Sequence, residues 1–145
     1  NTFTGIQYHH KETDMLVFGA VDDIWVDSKG CLIVVDYKAS GAKEGELYDS
    51  YKRQMEIYQW ILRKNGFKVL DRGYFVYCRV NKENGFAKGK LSFDIKVQPY
   101  DGDGKWVEEK IYEAKKILNG KIPEASRECD YCKYSKESYL GKNDE

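Results

Sequence analysis

The sequence predicts a mixed α+β domain in which a central β-sheet is flanked by helices. Three β-prone runs supply the sheet, at residues 31–38, 74–80 and 91–97. Apolar residues recur at helical spacing in two other places, at about 47–64 and at about 106–118. With 145 residues and no internal repeat, the chain has the length of one domain with a sizeable core.

The overall composition narrows the class of protein. The 24 basic and 24 acidic residues cancel, which argues against binding nucleic acid through bulk charge but leaves room for a local basic cleft. No apolar run approaches the ~20 residues that span a bilayer, so we expect a soluble protein. Four cysteines are too few for a disulfide-stabilised secreted fold of this size, so we expect a reducing, cytoplasmic setting. Because Asn1 is not an initiator methionine, we expect that an N-terminal part is missing.

The first third of the chain is predicted to form three strands. A short strand is predicted at 4–10, where His9 and His10 point to opposite faces and are left out of the site. After a polar turn, residues 15–26 are predicted as a second strand. A tight turn at 27–30 then joins it in a hairpin to the strand at 31–38.

The strand at 31–38 ends in an unusual charged sequence. Four apolar residues at 32–35 lead directly into Asp36-Tyr37-Lys38. Since side chains alternate along a strand, Asp36 and Lys38 share a face while Tyr37 points the other way. The hairpin is expected to bring Asp22 close to Asp36, and Gly19 allows another group to approach the backbone nearby.

The predicted helix at 47–64 supplies a second pair of polar residues. Gln54 and Tyr58 are four residues apart and therefore share one face of the helix. They are either a core tyrosine beside an uninvolved glutamine or part of a site. Asn65 and Gly66 end the helix.

The C-terminal part contains a second helix and a cysteine pair. Pro123 prevents the helix at about 106–118 from continuing. Cys129 and Cys132 provide half the ligands of a zinc or iron–sulfur site. We expect a single domain over residues 1–134 and a polar, disordered tail at 135–145.

These motifs, taken in order, resemble the PD-(D/E)xK nuclease superfamily, specifically the RecB-like branch that also contains the CRISPR-associated adaptation nucleases. The resemblance is carried by Gly19-x-x-Asp22, Asp36-Tyr37-Lys38 and Gln54-x-x-x-Tyr58, and it extends from about residue 15 to 134. It implies a restriction-endonuclease-like sheet flanked by helices. It also implies metal-dependent hydrolysis of DNA, of the exonuclease type.

The residues suit that chemistry in their own right. Asp22 and Asp36 are hard oxygen ligands for Mg²⁺ or Mn²⁺, and the backbone carbonyl of Tyr37 is a further candidate ligand. Lys38 is placed to orient the attacking water and to offset charge in the transition state. By the resemblance, Gln54 and Tyr58 would position the substrate or Lys38.

The chain departs from the resembled branch at its cysteines. Iron–sulfur members carry one further cysteine shortly after the pair and another far upstream, and nothing after Cys132 supplies the former. An iron–sulfur cluster or Zn²⁺ at Cys129 and Cys132 therefore stays an alternative. An upstream helix that often contributes a metal-binding histidine also lies outside this sequence.

The sequence is compatible with three functions. The leading hypothesis is a DNA nuclease that acts within a larger recombination, repair or phage replication machine, with no membrane partner. The second is a catalytically lapsed nuclease-fold module that binds DNA or a partner protein. The third is a zinc-binding interaction module built on Cys129 and Cys132.

Overall fold

The computed structural model describes residues 5–40, 47–81 and 89–140. The chain forms two compact units, Asn1–Tyr112 and Glu113–Glu145. The elements in chain order are β1 (Ile6–His10), β2 (Met15–Gly19), β3 (Asp23–Val26), β4 (Leu32–Ser40), α1 (Asp49–Lys64), β5 (Arg72–Val80), β6 (Phe93–Asp101), α2 (Lys105–Leu118) and α3 (Asp130–Leu140). Among these described elements, no helix combines the length and the apolar character needed to cross a membrane.

A mixed four-stranded sheet lies at the centre of the first unit. Its strands lie in the order β3-β4-β5-β6. β4 pairs antiparallel with β3 and parallel with β5, and β6 pairs antiparallel with β5. The predicted mixed sheet flanked by helices is therefore confirmed.

The prediction of a single strand over residues 15–26 is wrong. The chain leaves β2 at Gly19 and begins β3 at Asp23. β2 pairs with β1 in a separate two-stranded sheet, whereas β3 joins the central sheet. Both halves of the run are apolar, so the pattern along the chain does not reveal that they pair with different partners. In β1, His9 is exposed and His10 is buried, as their alternation predicted.

The β3–β4 turn forms where the sequence predicted it. One carboxylate oxygen of Asp27 accepts hydrogen bonds from the backbone N–H groups of Lys29 and Cys31, each at 2.8 Å. Gly30 adopts φ +76°, a left-handed conformation that favours glycine. This turn fixes the register in which Asp23 lies opposite Val35.

Helix α1 packs on one face of the central sheet. It forms a core with residues of β4 and β5: Val34, Met55, Tyr58, Leu62, Phe75 and Tyr77. A side-chain carbon on Gly73 of β5 would lie 2.5 Å from Met55 Sδ, so glycine there allows the helix to approach closely. The helix ends at Lys64, and Gly66 follows with φ +89°.

Glu56, a buried carboxylate of α1, connects this helix to the end of β6, to the start of α2 and to the loop between them. Glu56 Oε1 accepts a hydrogen bond from the Tyr100 hydroxyl at 2.5 Å and from the Asp103 N–H at 3.1 Å. Glu56 Oε2 accepts one from Trp106 Nε1 at 2.5 Å. Burial, together with the Glu56 carboxylate, raises the pKa of Tyr100. The carboxylate is thus compensated by three donors, as a buried charge requires.

Two predictions for the second half of the chain need correction. The alternation of apolar and polar residues at 91–97 predicts a strand with one solvated face, but the apolar residues Phe93, Ile95 and Val97 of β6 are exposed as well. The residues at 135–140 are helical in α3 and not a disordered tail, while 141–145 lie outside the described part. The single nuclease-like domain over residues 1–134 stays a prediction.

Candidate active site

The candidate site lies where β4 extends beyond its antiparallel partner. The β3–β4 ladder ends at the pair Asp23 and Val35, so the edge of β4 that follows has no strand beside it in the described structure. The backbone N–H of Tyr37 points to this open edge and donates to Asp22 Oδ2 at 2.9 Å. Since the N–H and C=O of a strand residue point the same way, the Tyr37 carbonyl faces the same edge as Asp22.

Asp36 lies beneath α1 at the end of the buried part of β4. The residue is only 3% exposed. Its Oδ2 lies 2.5 Å from Lys38 Nζ in an ion pair and makes no hydrogen bond of ordinary geometry within the described residues. Burial raises the pKa of Asp36; Lys38 opposes this rise, and the neighbouring Asp22 carboxylate adds to it. Asp22 and Asp36 therefore come together, as the hairpin predicted.

Lys38 is held from two sides by α1. Its Nζ donates to Gln54 Oε1 at 3.1 Å and lies 4.4 Å from the centre of the Tyr51 ring. Gln54 Nε2 in turn donates to the Tyr58 hydroxyl at 2.8 Å. The predicted shared face of Gln54 and Tyr58 is confirmed, and it is the face that contacts Lys38.

Gly19 allows Tyr58 to reach this position. A Cβ atom at Gly19 would lie 2.4 Å from Tyr58 Cε1 and 3.2 Å from Tyr58 Cδ1. The ring therefore packs directly on the backbone of the residue that ends β2. The group that approaches Gly19 is an aromatic side chain of α1.

The oxygen atoms at this edge suit a hard divalent cation. Two carboxylates that lie together, one of them buried with a raised pKa, repel each other unless a cation or a proton compensates them. No group of three or more His, Cys, Asp or Glu side chains within the described residues is arranged to hold a metal. Mg²⁺ commonly takes only one or two carboxylates and completes its shell with water and substrate phosphate. Asp22, Asp36 and the Tyr37 carbonyl fit that pattern.

The cysteine pair lies in the second unit, at the start of α3. Cys129 precedes the first residue of this helix and Cys132 lies within its first turn. Hydrogen bonds from the backbone and thiol of Cys132 lower the pKa of Cys129. Since no larger metal-binding cluster occurs in the described ranges, a zinc or iron–sulfur site at this pair stays a prediction.

Two residues beside the site were not predicted from sequence. Asp23 accepts a hydrogen bond from the Tyr37 hydroxyl at 2.8 Å, and that contact is the largest cause of its lowered pKa. Tyr51 lies three residues before Gln54 on α1 and contacts Lys38. Helical spacing, which places residues three and four apart on one face, was the available signal for Tyr51. Strand alternation was the corresponding signal for Tyr37 and Asp23.

The mixed sheet with this edge defines a restriction-endonuclease-like fold. A family model of the PD-(D/E)XK nuclease superfamily matches residues 3–136, and the chain belongs to this superfamily. Its members are usually nucleases that act on DNA and generally use divalent metals such as Mg²⁺. No curated protein and no solved structure matches the chain.

Proposed function

We propose that the protein is a Mg²⁺- or Mn²⁺-dependent deoxyribonuclease of the RecB-like branch, which also contains the CRISPR-associated adaptation nucleases, and that it acts as an exonuclease. One observation carries the proposal. Asp36, Lys38, Gln54 and Tyr58 form a continuous set of contacts beside the open edge of β4, and Asp22 accepts the N–H of Tyr37, the residue between Asp36 and Lys38.

Asp22, Asp36 and the Tyr37 carbonyl would hold the ion. When bound, it supplies positive charge against the scissile phosphate and lowers the pKa of water. Asp22 uses one carboxylate oxygen for the Tyr37 N–H, which fixes the side chain against β4. Asp36 is fixed by its burial under α1 and by the ion pair with Lys38.

Lys38 is the group that acts on water and phosphate. Its side chain is 17% exposed, so the ammonium is partly shielded from solvent while it remains beside the carboxylate site. A shielded positive charge next to the phosphate stabilises the negative charge that develops in the transition state. The N–H groups of the Lys38 ammonium can also orient the attacking water.

Gln54 and Tyr58 act as positioning residues. The Gln54 side-chain carbonyl accepts a hydrogen bond from Lys38, and its amide N–H donates one to Tyr58. It is therefore better suited to fix the direction of the lysine than to bind DNA directly. Tyr58 is itself fixed by the core and by its packing on Gly19.

The wider setting is also part of the proposal. We assign the nuclease function to residues 1–134 and expect it to work in the cytoplasm on DNA, within a larger recombination, repair or phage replication machine. The larger machine is implied by the resemblance to the RecB-like branch, and the cytoplasmic setting by the small number of cysteines. The zinc or iron–sulfur alternative at Cys129 and Cys132 is tested separately by metal analysis of the purified protein.

A cleavage assay tests the proposed activity. End-labelled linear DNA and covalently closed circular DNA, each single- and double-stranded, are incubated with Mg²⁺, with Mn²⁺ or with EDTA. We expect divalent-dependent degradation of linear substrates only. Asp36→Asn and Lys38→Met should each lower the rate about 100-fold or more, because each removes charge from the reacting centre. Lys29→Met, at an exposed lysine in the β3–β4 turn, is the matched control and should cleave like the wild type.

The outcomes separate the proposal from its alternatives. Cleavage that persists in both Asp36→Asn and Lys38→Met would refute the assigned site. Binding of Mn²⁺ and DNA without any cleavage would favour the lapsed module. Cutting of circular DNA would replace the exonuclease assignment with an endonuclease.

A further inference from the structure

The second carboxylate of the Asp22-Asp23 pair makes a set of contacts of its own. Asp23 Oδ2 accepts the Tyr37 hydroxyl at 2.8 Å and Trp25 Nε1 at 3.2 Å. Asp23 Oδ1 accepts the backbone N–H of Ile24 at 2.8 Å. The carboxylate is thus fixed within β3 by two donors and linked to β4 by a third.

The hydrogen bond between the Tyr37 hydroxyl and Asp23, here called the link, lies on the face of the sheet opposite to α1. Asp23 lies opposite Val35, and Tyr37 is two residues further along β4, so both side chains point to the same face as Val35. Trp25 shares that face and contacts the ring of Tyr74 on β5, with ring centres 5.3 Å apart. Since Trp25 also donates to Asp23, Tyr74 of β5 supports the link through Trp25.

The position of the link matters because the β3–β4 ladder ends there. Asp23 and Val35 are the last ladder pair, and both Asp22 and Tyr37 lie beyond it. At this end of the ladder, two hydrogen bonds join Tyr37 of β4 to the start of β3: the Tyr37 N–H donates to Asp22 and the Tyr37 hydroxyl donates to Asp23. Together they fix Tyr37 through both its backbone and its side chain.

We propose that Asp23 and the Tyr37 phenol are a positioning pair that sets the distance between Asp22 and the Tyr37 carbonyl, so that both oxygens reach one divalent ion. This inference rests on the proposed metal-dependent function and extends it to two side chains that touch neither metal nor DNA. Replacing a group that orients a metal ligand typically costs about 10- to 100-fold in metal affinity or activity.

Metal binding without DNA tests the pair directly. Isothermal titration of Mn²⁺ into metal-free protein is compared for the wild type, Tyr37→Phe and Asp23→Asn. We expect Tyr37→Phe to raise the Kd for Mn²⁺ about 10-fold, the lower end of the range for residues that orient metal ligands, because the contact is partly exposed. Asp23→Asn should have an effect in the same direction. Raising the Mn²⁺ concentration should restore cleavage by both variants.

Tyr100→Phe is the matched control. It removes the same hydroxyl group from another tyrosine–carboxylate hydrogen bond, the one between Tyr100 and Glu56. It should lower Tm without changing the Kd for Mn²⁺. A merely structural role for Tyr37 would instead make the two variants behave alike.

The titration distinguishes a failure of the proposed function from a failure of the positioning pair alone. If the wild-type protein binds no Mn²⁺, the proposed function falls and this inference falls with it. If the wild type binds Mn²⁺ but both Tyr37→Phe and Asp23→Asn bind it equally well, the positioning pair alone is refuted. The same holds if Tyr100→Phe weakens binding as much as Tyr37→Phe.

Discussion

Replacing Gly19 by alanine tests how the candidate site is assembled. The added Cβ would lie 2.4 Å from Tyr58 Cε1, whereas carbon atoms pack at about 3.5 Å or more. The Tyr58 ring must therefore move by about 1 Å. The backbone at Gly19 does not have a left-handed φ, so the effect is steric and not conformational.

The size of the effect follows from what surrounds the ring. Tyr58 belongs to the buried core with Val34, Met55 and Phe75, so it has little free space to move into. Overpacking of this kind costs about 1–3 kcal/mol. For a chain of this length, that corresponds to a fall in Tm of roughly 3–12 °C.

The displaced ring should also affect activity. Its hydroxyl is the partner of Gln54, and Gln54 holds Lys38. Displacing a positioning group by about 1 Å can lower a rate as much as 100-fold. We therefore expect Gly19→Ala to lower kcat for DNA cleavage by about 10- to 100-fold, with a much smaller change in KM.

Thermal unfolding and cleavage kinetics measure both effects with two controls. Gly104→Ala places its Cβ no closer than 3.4 Å to any neighbour, so it should have nearly wild-type Tm and kcat. In a Tyr58→Leu background the overlap is relieved, so adding Gly19→Ala should cost little further stability. A single Gly19→Ala variant with wild-type Tm and kcat would refute the reasoning, as would an equal loss of stability in both backgrounds.

Two further predictions concern the groups around the ion pair. Tyr51→Leu should lower kcat about 5-fold because it removes the ring that faces Lys38, while Tyr51→Phe keeps the ring and should retain the rate; equal rates for the two variants in a stopped-flow cleavage assay would contradict this role. Burial raises the pKa of Asp36 in the folded protein. The folded protein therefore holds this proton more tightly than the unfolded chain does. The free energy of unfolding falls as the pH rises above the ordinary pKa range of aspartate, and below that range Asp36 has no such effect. In EDTA, Asp36→Asn should accordingly raise Tm relative to the wild type more at pH 7 than at pH 4, as measured by circular dichroism, and a difference independent of pH would show that ionisation is not the cause.

Local patterns predicted most of the elements of this fold. Helix α1, strand β4 and the Asp27–Gly30 turn follow from helical spacing, an apolar run and turn residues, all of which act between near neighbours in sequence. The division of residues 15–26 between two sheets did not follow, because strand pairing depends on partners far along the chain. The helical state of α3 was missed because its apolar residues show little helical periodicity.

The sequence by itself determined the chemical groups and part of their arrangement. Strand alternation put Asp36 and Lys38 on one face, and helical spacing put Gln54 and Tyr58 on another. Only the tertiary structure decided that these two faces meet, that Gly19 receives the Tyr58 ring, and that Asp23 bonds to Tyr37. The physical reason is that such contacts join residues that lie far apart in the chain. They depend on how α1 packs on the sheet and on where the β3–β4 ladder ends, and neither is encoded in a local period.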